Sequence, residues 1–165
     1  MNKLFFVALV LVFMSTQSVI AKPTPLGFSL GITTIKEVKE KYKILKSQKL
    51  TLSIDQYQYN DDLHKITLDG VKTVSFGFDK KGILQNIIIL IDKNQEQIML
   101  DILKSKYPLK ISQPDCYFFT DNDVTITLSH VMQPNIIALN YSTQELYRLS
   151  NIDKRKSADK NHHLL

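Results

Sequence analysis

"TVSFGFDKKGILQNIIILID" (residues 73–92) decides the fold. Val74, Phe76 and Phe78 alternate with Thr73, Ser75 and Gly77, a period of two that turns one side of a strand into a core. Asp79 to Gly82 then reads as a turn. In the following run, Ile83 to Ile91, residues Ile87, Ile89 and Ile91 share one face and Ile88 and Leu90 the other. A strand apolar on both faces would recruit other chains if left at a sheet edge, so it is expected in the middle of a sheet.

The same reading extends upstream. "LHKITLDG" (63–70) predicts a short strand to Leu68 and a turn at Asp69-Gly70, preceded by a turn at Asn60-Asp61-Asp62. Leu50, Leu52 and Ile54 alternate with Thr51, Ser53 and Asp55, a strand with one face in the core. Tyr57 and Tyr59 continue its outward phase. Thr34-Ile35-Lys36-Glu37 is a capping box, and Ile35, Val38, Tyr42 and Leu45 form an apolar stripe at helical spacing behind it.

Downstream, Asn94 to Gln97 opens a second helix with Ile98, Met99, Ile102 and Leu103 inward, stopped by Pro108. Strands follow near 116–120, 124–128 and 137–141, separated by turns at Asp121-Asn122 and Gln133-Pro134-Asn135. Ser142-Thr143-Gln144-Glu145 is another capping box, opening a short helix with Leu146, Leu149 and Ile152 aligned. The polar run "KRKSADKNHH" predicts a disordered tail over 154–165. The expected fold class is α+β: an antiparallel β-sheet meander with two amphipathic helices packed on one face. "VKEKYKI" (38–44) is echoed by "LKSKYPL" (103–109), which suggests two α-β-β-β repeats.

The chain opens with one Lys and an apolar run from Leu4 to Met14, then a polar stretch ending at Val19-Ile20-Ala21. That is the layout of a bacterial secretory signal peptide over 1–21, since the run falls short of the roughly 20 residues of a spanning helix. The expected domain is 22–153, exported to the periplasm or secreted, without stable membrane insertion. A lipid anchor would need a cysteine at the cleavage point, and the one cysteine is Cys116. Lying beside Tyr117-Phe118-Phe119, it reads as a strand thiol, with a dimer bridged through Cys116 as the alternative.

Lys and Arg number 21 against 16 Asp and Glu, and all but two of the 21 are scattered Lys. Nucleic-acid binding calls for clustered Lys and Arg among base-stacking aromatics, so it is not expected. Gly27-Phe28-Ser29-Leu30-Gly31 matches G-x-S-x-G literally. A nucleophile elbow needs a strand before its Ser and a helix immediately after it, and the prolines at 23 and 25 and the helix start near 34 supply neither. His64, His130, His162 and His163 lack metal-ligand spacing. The Asp61-Asp62 and Asp121-Asn122-Asp123 turns lack the later Glu of a calcium loop, so no metal and no cofactor is expected.

"LGITTIKEVKEKY" followed by "TVSFGFDKKGILQNI" resembles the SmpA/OmlA family, lipoproteins of the β-barrel assembly machinery, and more loosely the β-lactamase-inhibitor-protein fold. Gly31, Thr33, Val38, Gly82 and Leu84 carry the resemblance, over residues 30–90, while the lipidated cysteine is absent. The resemblance implies a fold and a non-catalytic binding habit. The functional expectation is an exported, non-enzymatic binding or envelope-accessory protein that docks a protein partner by a sheet face or edge. A surface of Tyr57, Tyr59, Ile88 and Leu90 opposite the helices is the candidate partner-binding site, with the alternative that the C-terminal helix folds back through Leu146, Leu149 and Ile152 and covers it. The alternatives are a secreted inhibitor or effector acting on a foreign enzyme or host protein, and a small hydrolase using Ser29.

Overall fold

A computed structural model describes residues 23–162, for residues 48, 49 and 154–162 through the backbone alone. The predicted signal segment lies outside the described residues. The architecture is α+β. Helix α1 (Ile35–Lys41) leads into strands β1 (Ile44–Thr51), β2 (Ile54–Tyr59), β3 (Val71–Asp79) and β4 (Leu84–Asp92). Helix α2 (Glu96–Lys106) leads into β5 (Leu109–Gln113), β6 (Cys116–Asp121), β7 (Val124–His130) and β8 (Ile136–Thr143), and α3 (Gln144–His162) closes the described chain. The eight strands form one antiparallel sheet in the order β1-β2-β3-β4-β8-β7-β6-β5.

That order is two four-stranded meanders joined through their last strands. Because β4 and β8 pair antiparallel, equivalent strands of the two halves run in opposite directions, as a two-fold axis normal to the sheet requires. Such an axis leaves α1 and α2 on the same face. The echo noted in the sequence falls on equivalent places: Val38 and Leu103 are buried, and Tyr42 and Tyr107 cap their helices at φ −132° with ψ 140° and 143°.

The second half has four strands where the sequence names three, and the first half has four divided differently from the four expected. Leu52-Ser53 is a two-residue turn between β1 and β2, not the middle of one strand, and β5 precedes the predicted strand at 116. The expected strand to Leu68 is a 3-10 turn at Leu63–Lys65 followed by bends. In these places short polar strands and apolar turns mimic one another, because alternation alone does not show where a hairpin reverses.

Directly opposed residues share a face, so Tyr57, Phe76, Ile87, Tyr141, Ile126 and Phe119 form one row across β2 to β6 on the helical side. Phe76, Ile87, Ile126 and Phe119 are fully buried, and burying each such side chain contributes about 1.5–3 kcal/mol. β4 is central, as its doubly apolar pattern requires. α1 is capped as expected, with Thr34 and Glu37 bonded reciprocally. It stops at Lys41, however, so Leu45 lies on β1 and is exposed.

On α2 the buried set is Met99, Leu100 and Leu103, while Ile98 and Ile102 are exposed. An i, i+3, i+4 pattern is satisfied by either of two adjacent stripes, and the helix presents the one centred on Met99 and Leu103 to the sheet. α3 continues to His162, so the backbone at 154–162 is helical where a disordered tail is predicted. That segment has no Gly or Pro, and its Lys, Arg and Ala extend a helix already nucleated.

The residues that carry the family resemblance meet in space. Gly31 N–H donates to the Leu84 carbonyl at 2.7 Å, Leu84 N–H to the Thr33 carbonyl at 2.9 Å, and Ile35 N–H to the Gly82 carbonyl at 2.8 Å. Gly31 and Gly82 adopt φ +76° and +77°, the left-handed region glycine enters without strain. The turn into α1 is thus stitched to the β3–β4 hairpin.

Candidate functional site

The four residues of the predicted surface divide between the two faces of the sheet. Tyr57 and Tyr59 lie on the helical side. Tyr57 stands opposite Phe76 and meets Phe78 edge-on at 5.5 Å between ring centres, with Lys39 Nζ 5.4 Å above its ring. Tyr59 is buried, its hydroxyl donating to the Asp62 carbonyl at 2.9 Å, and burial raises its pKa. Ile88 and Leu90 lie half-buried on the side opposite α1 and α2. The tyrosines do oppose Ile54 in phase, but Ile54 is itself buried on the side opposite α1 and α2, so its burial does not mark the face those helices cover.

Cross-strand register builds the face opposite α1 and α2 row by row. Gln58, Ser75, Ile88, Asn140, Thr127 and Phe118 form one row from β2 to β6. Gln56, Gly77, Asn86, Ser142, Thr125 and Thr120 form the row on one side of it. Thr73, Leu90, Ala138, Ser129 and Cys116 form the row on the other. No residue of these three rows is charged, although 22% of the chain is Asp, Glu, Lys or Arg.

Side chains on this face bond to one another. Gln58 Nε2 donates to Thr73 Oγ1 at 3.0 Å, and Ser47 Oγ to the Gln56 carbonyl at 3.1 Å. Ser142 Oγ and Asn86 Nδ2 donate to Asn140 Oδ1 at 3.1 and 3.4 Å. Gly77 makes room for Asn86, since a Cβ there would stand 2.0 Å from Asn86 Oδ1. Ser47, Gln56, Gln58, Thr73 and Ser75 line a shallow polar depression over β1 to β3. α3 packs against β4 and β8 near the end of the face where Asn86 and Ser142 are buried, and Asp153 ties it to the β1–β2 turn, accepting from Ser53 N–H at 2.8 Å and Ser53 Oγ at 2.7 Å.

The other residues singled out in the sequence are separate. Ser29 lies in a turn, with Thr33 N–H donating to its carbonyl at 2.9 Å, and is preceded by a 3-10 turn at Pro25–Gly27 instead of a strand. His130 ends β7 and bridges two carboxylates, Nε2 to Glu96 Oε1 at 2.9 Å and Nδ1 to Asp115 Oδ1 at 3.1 Å. It thereby ties α2 and the β5–β6 turn to the sheet. Cys116 is half-buried on the face opposite α1 and α2, and burial raises its thiol pKa, which keeps it in the less reactive protonated form. Among the described residues, no three His, Cys, Asp or Glu side chains are grouped to share a metal ion. None of the described helices is long and apolar enough to cross a membrane.

What the sequence reading missed is the polar half of the strands. Gln56 and Gln58, Thr73 and Ser75, Thr125 and Thr127 are the outward residues of period-two strands, visible as alternation but not, without register, as one surface. No family model, curated protein or solved structure matches the chain.

Proposed function

We propose that the protein is an exported, non-enzymatic binding protein that docks a protein partner on the face of its sheet opposite α1 and α2. The observation that carries this reading is the absence of charge across three rows of that face, where Gln, Ser, Thr and Asn surround Ile88 and Leu90. Taking a charge out of water is costly unless it is paired, whereas neutral amides and hydroxyls exchange water for a partner's polar groups at little net loss. Depletion of charge at the centre of a patch is also what sets interface cores apart from the rest of a surface.

Immobilised protein, exposed to envelope and culture-fluid fractions of the source cell, tests the reading. The native chain is expected to retain a specific protein, and Ser75→Lys with Thr127→Lys to lose it, because two ammonium groups would then be buried unpaired. Retention unchanged by the two lysines would remove this face as the docking surface.

A further inference from the structure

On the helical side of the sheet, where α1 and α2 stand apart, a cavity of about 550 Å³ opens. It lies where the two halves join: its floor is Ile89 and Leu139, directly opposed on β4 and β8, with Tyr141 beside them. α2 supplies Met99, Ile102 and Leu103 as one wall, and Tyr42 stands on the α1 side. Burial raises the Tyr141 hydroxyl's pKa, so the floor adds no negative charge. This volume and mostly apolar lining are those of a small-molecule site.

Charge at the mouth selects the ligand. Among the described residues, the charged side chains that line the cavity are Lys41 and Lys65, and no carboxylate lines it. Lys41 Nζ reaches across to donate to the Leu26 carbonyl at 2.8 Å and stands 5.1 Å from the Phe28 ring centre, which holds it at the lip. Lys65 pairs with Asp61 outside the lining. An ammonium carries three N–H donors, so each lysine can accept an anion while keeping the bond it has.

We propose that this cavity binds a single-chain amphipathic anion, its apolar tail on the Ile89–Leu139 floor and its carboxylate at the Lys41–Lys65 mouth. The inference stands on the cavity alone and is independent of the sheet face.

Titration calorimetry of the purified protein with decanoate, decanol and decyltrimethylammonium, each below its micelle concentration, tests it. Decanoate is expected to bind with one-to-one stoichiometry, and decanol about fivefold more weakly, the worth of a partly exposed ion pair. The cationic chain should bind more weakly still. Lys41→Met with Lys65→Met should bring decanoate down to the level of decanol, and Ile102→Trp, at a half-open wall position, should narrow the cavity and weaken both. Leu68→Trp, on the loop side, provides a second plug should Ile102→Trp fail to melt cooperatively. No saturable decanoate binding, equal affinity for the cationic chain, or binding unchanged by a folded plug variant would overturn the proposal.

Discussion

At the residue scale, the sharpest constraint is Gly77, which sits beneath the Asn86 side chain in mid-sheet. An added Cβ would lie 2.0 Å from Asn86 Oδ1 and 3.1 Å from Ile54 Cγ2, and Asn86 is buried. Gly77→Ala should therefore destabilise the protein by about 1–3 kcal/mol, the range for overpacking, and Asn86→Ala should recover part of that loss in the double variant. Denaturant midpoints of the four proteins decide it, and additive losses would contradict the close approach. Thr34 makes a second, smaller case. Its N–H and hydroxyl both donate to Glu37, which lowers the Glu37 pKa. A carboxyl lowered in the folded state stabilises it above the unfolded value, and that contribution fades as pH falls through the carboxylate range. Thr34→Ala should cost about 1 kcal/mol near neutrality and less in acid, as melting across pH would show. The capping box was plain from residues three apart. The Gly77–Asn86 approach was not, because it depends on which residue of β4 stands opposite Gly77.

Elements were legible where a period ran long enough to exclude its rivals. β3, β4 and β7 and the starts of α1 and α2 stand where alternation and caps put them, and the inward Val74, Phe76 and Phe78 are buried. The misreadings lie in short pieces: the turn at Leu52-Ser53 taken as strand, the 3-10 turn at Leu63–Lys65, and the five-residue edge strand β5. α3 shows the same limit, since nothing in Ser53 or Asp153 announces that residues 100 apart will bond. Asp153→Ala leaves the Ser53 hydroxyl without this acceptor and should cost about 1–3 kcal/mol. Hydrogen exchange should then speed up in α3 before it does in β4, and protection unchanged in α3 would contradict this anchoring role. His130 links elements too, through its contacts with Glu96 and Asp115, and His130→Gln should cost about 1 kcal/mol, the usual net worth of a side-chain hydrogen bond, read from denaturant midpoints.

Over the whole molecule, the repeated helix-and-meander unit explains both surfaces proposed to bind. The axis between β4 and β8 keeps both helices on one face, leaves a cavity where they part, and turns the outward residues of both halves onto the other face. The sequence echo at 38–44 and 103–109 pointed to this symmetry. The faces themselves were not legible, because assigning Tyr57 to one side and Ile88 to the other needs the register of β2 on β3 and β3 on β4. Docking on the face opposite α1 and α2 is the central claim, and it makes a prediction about the two sides of the molecule. The decisive measurement is the Kd of the captured partner for three proteins: native, Ser75→Lys with Thr127→Lys on the sheet, and Lys36→Glu with Lys104→Glu on the exposed sides of the helices. The account predicts that the sheet pair weakens binding at least about a hundredfold, two buried unpaired charges being worth more than about 3 kcal/mol, while the helix pair stays within a few-fold of native. Equal loss on both sides, or loss with the helix pair alone, would contradict it.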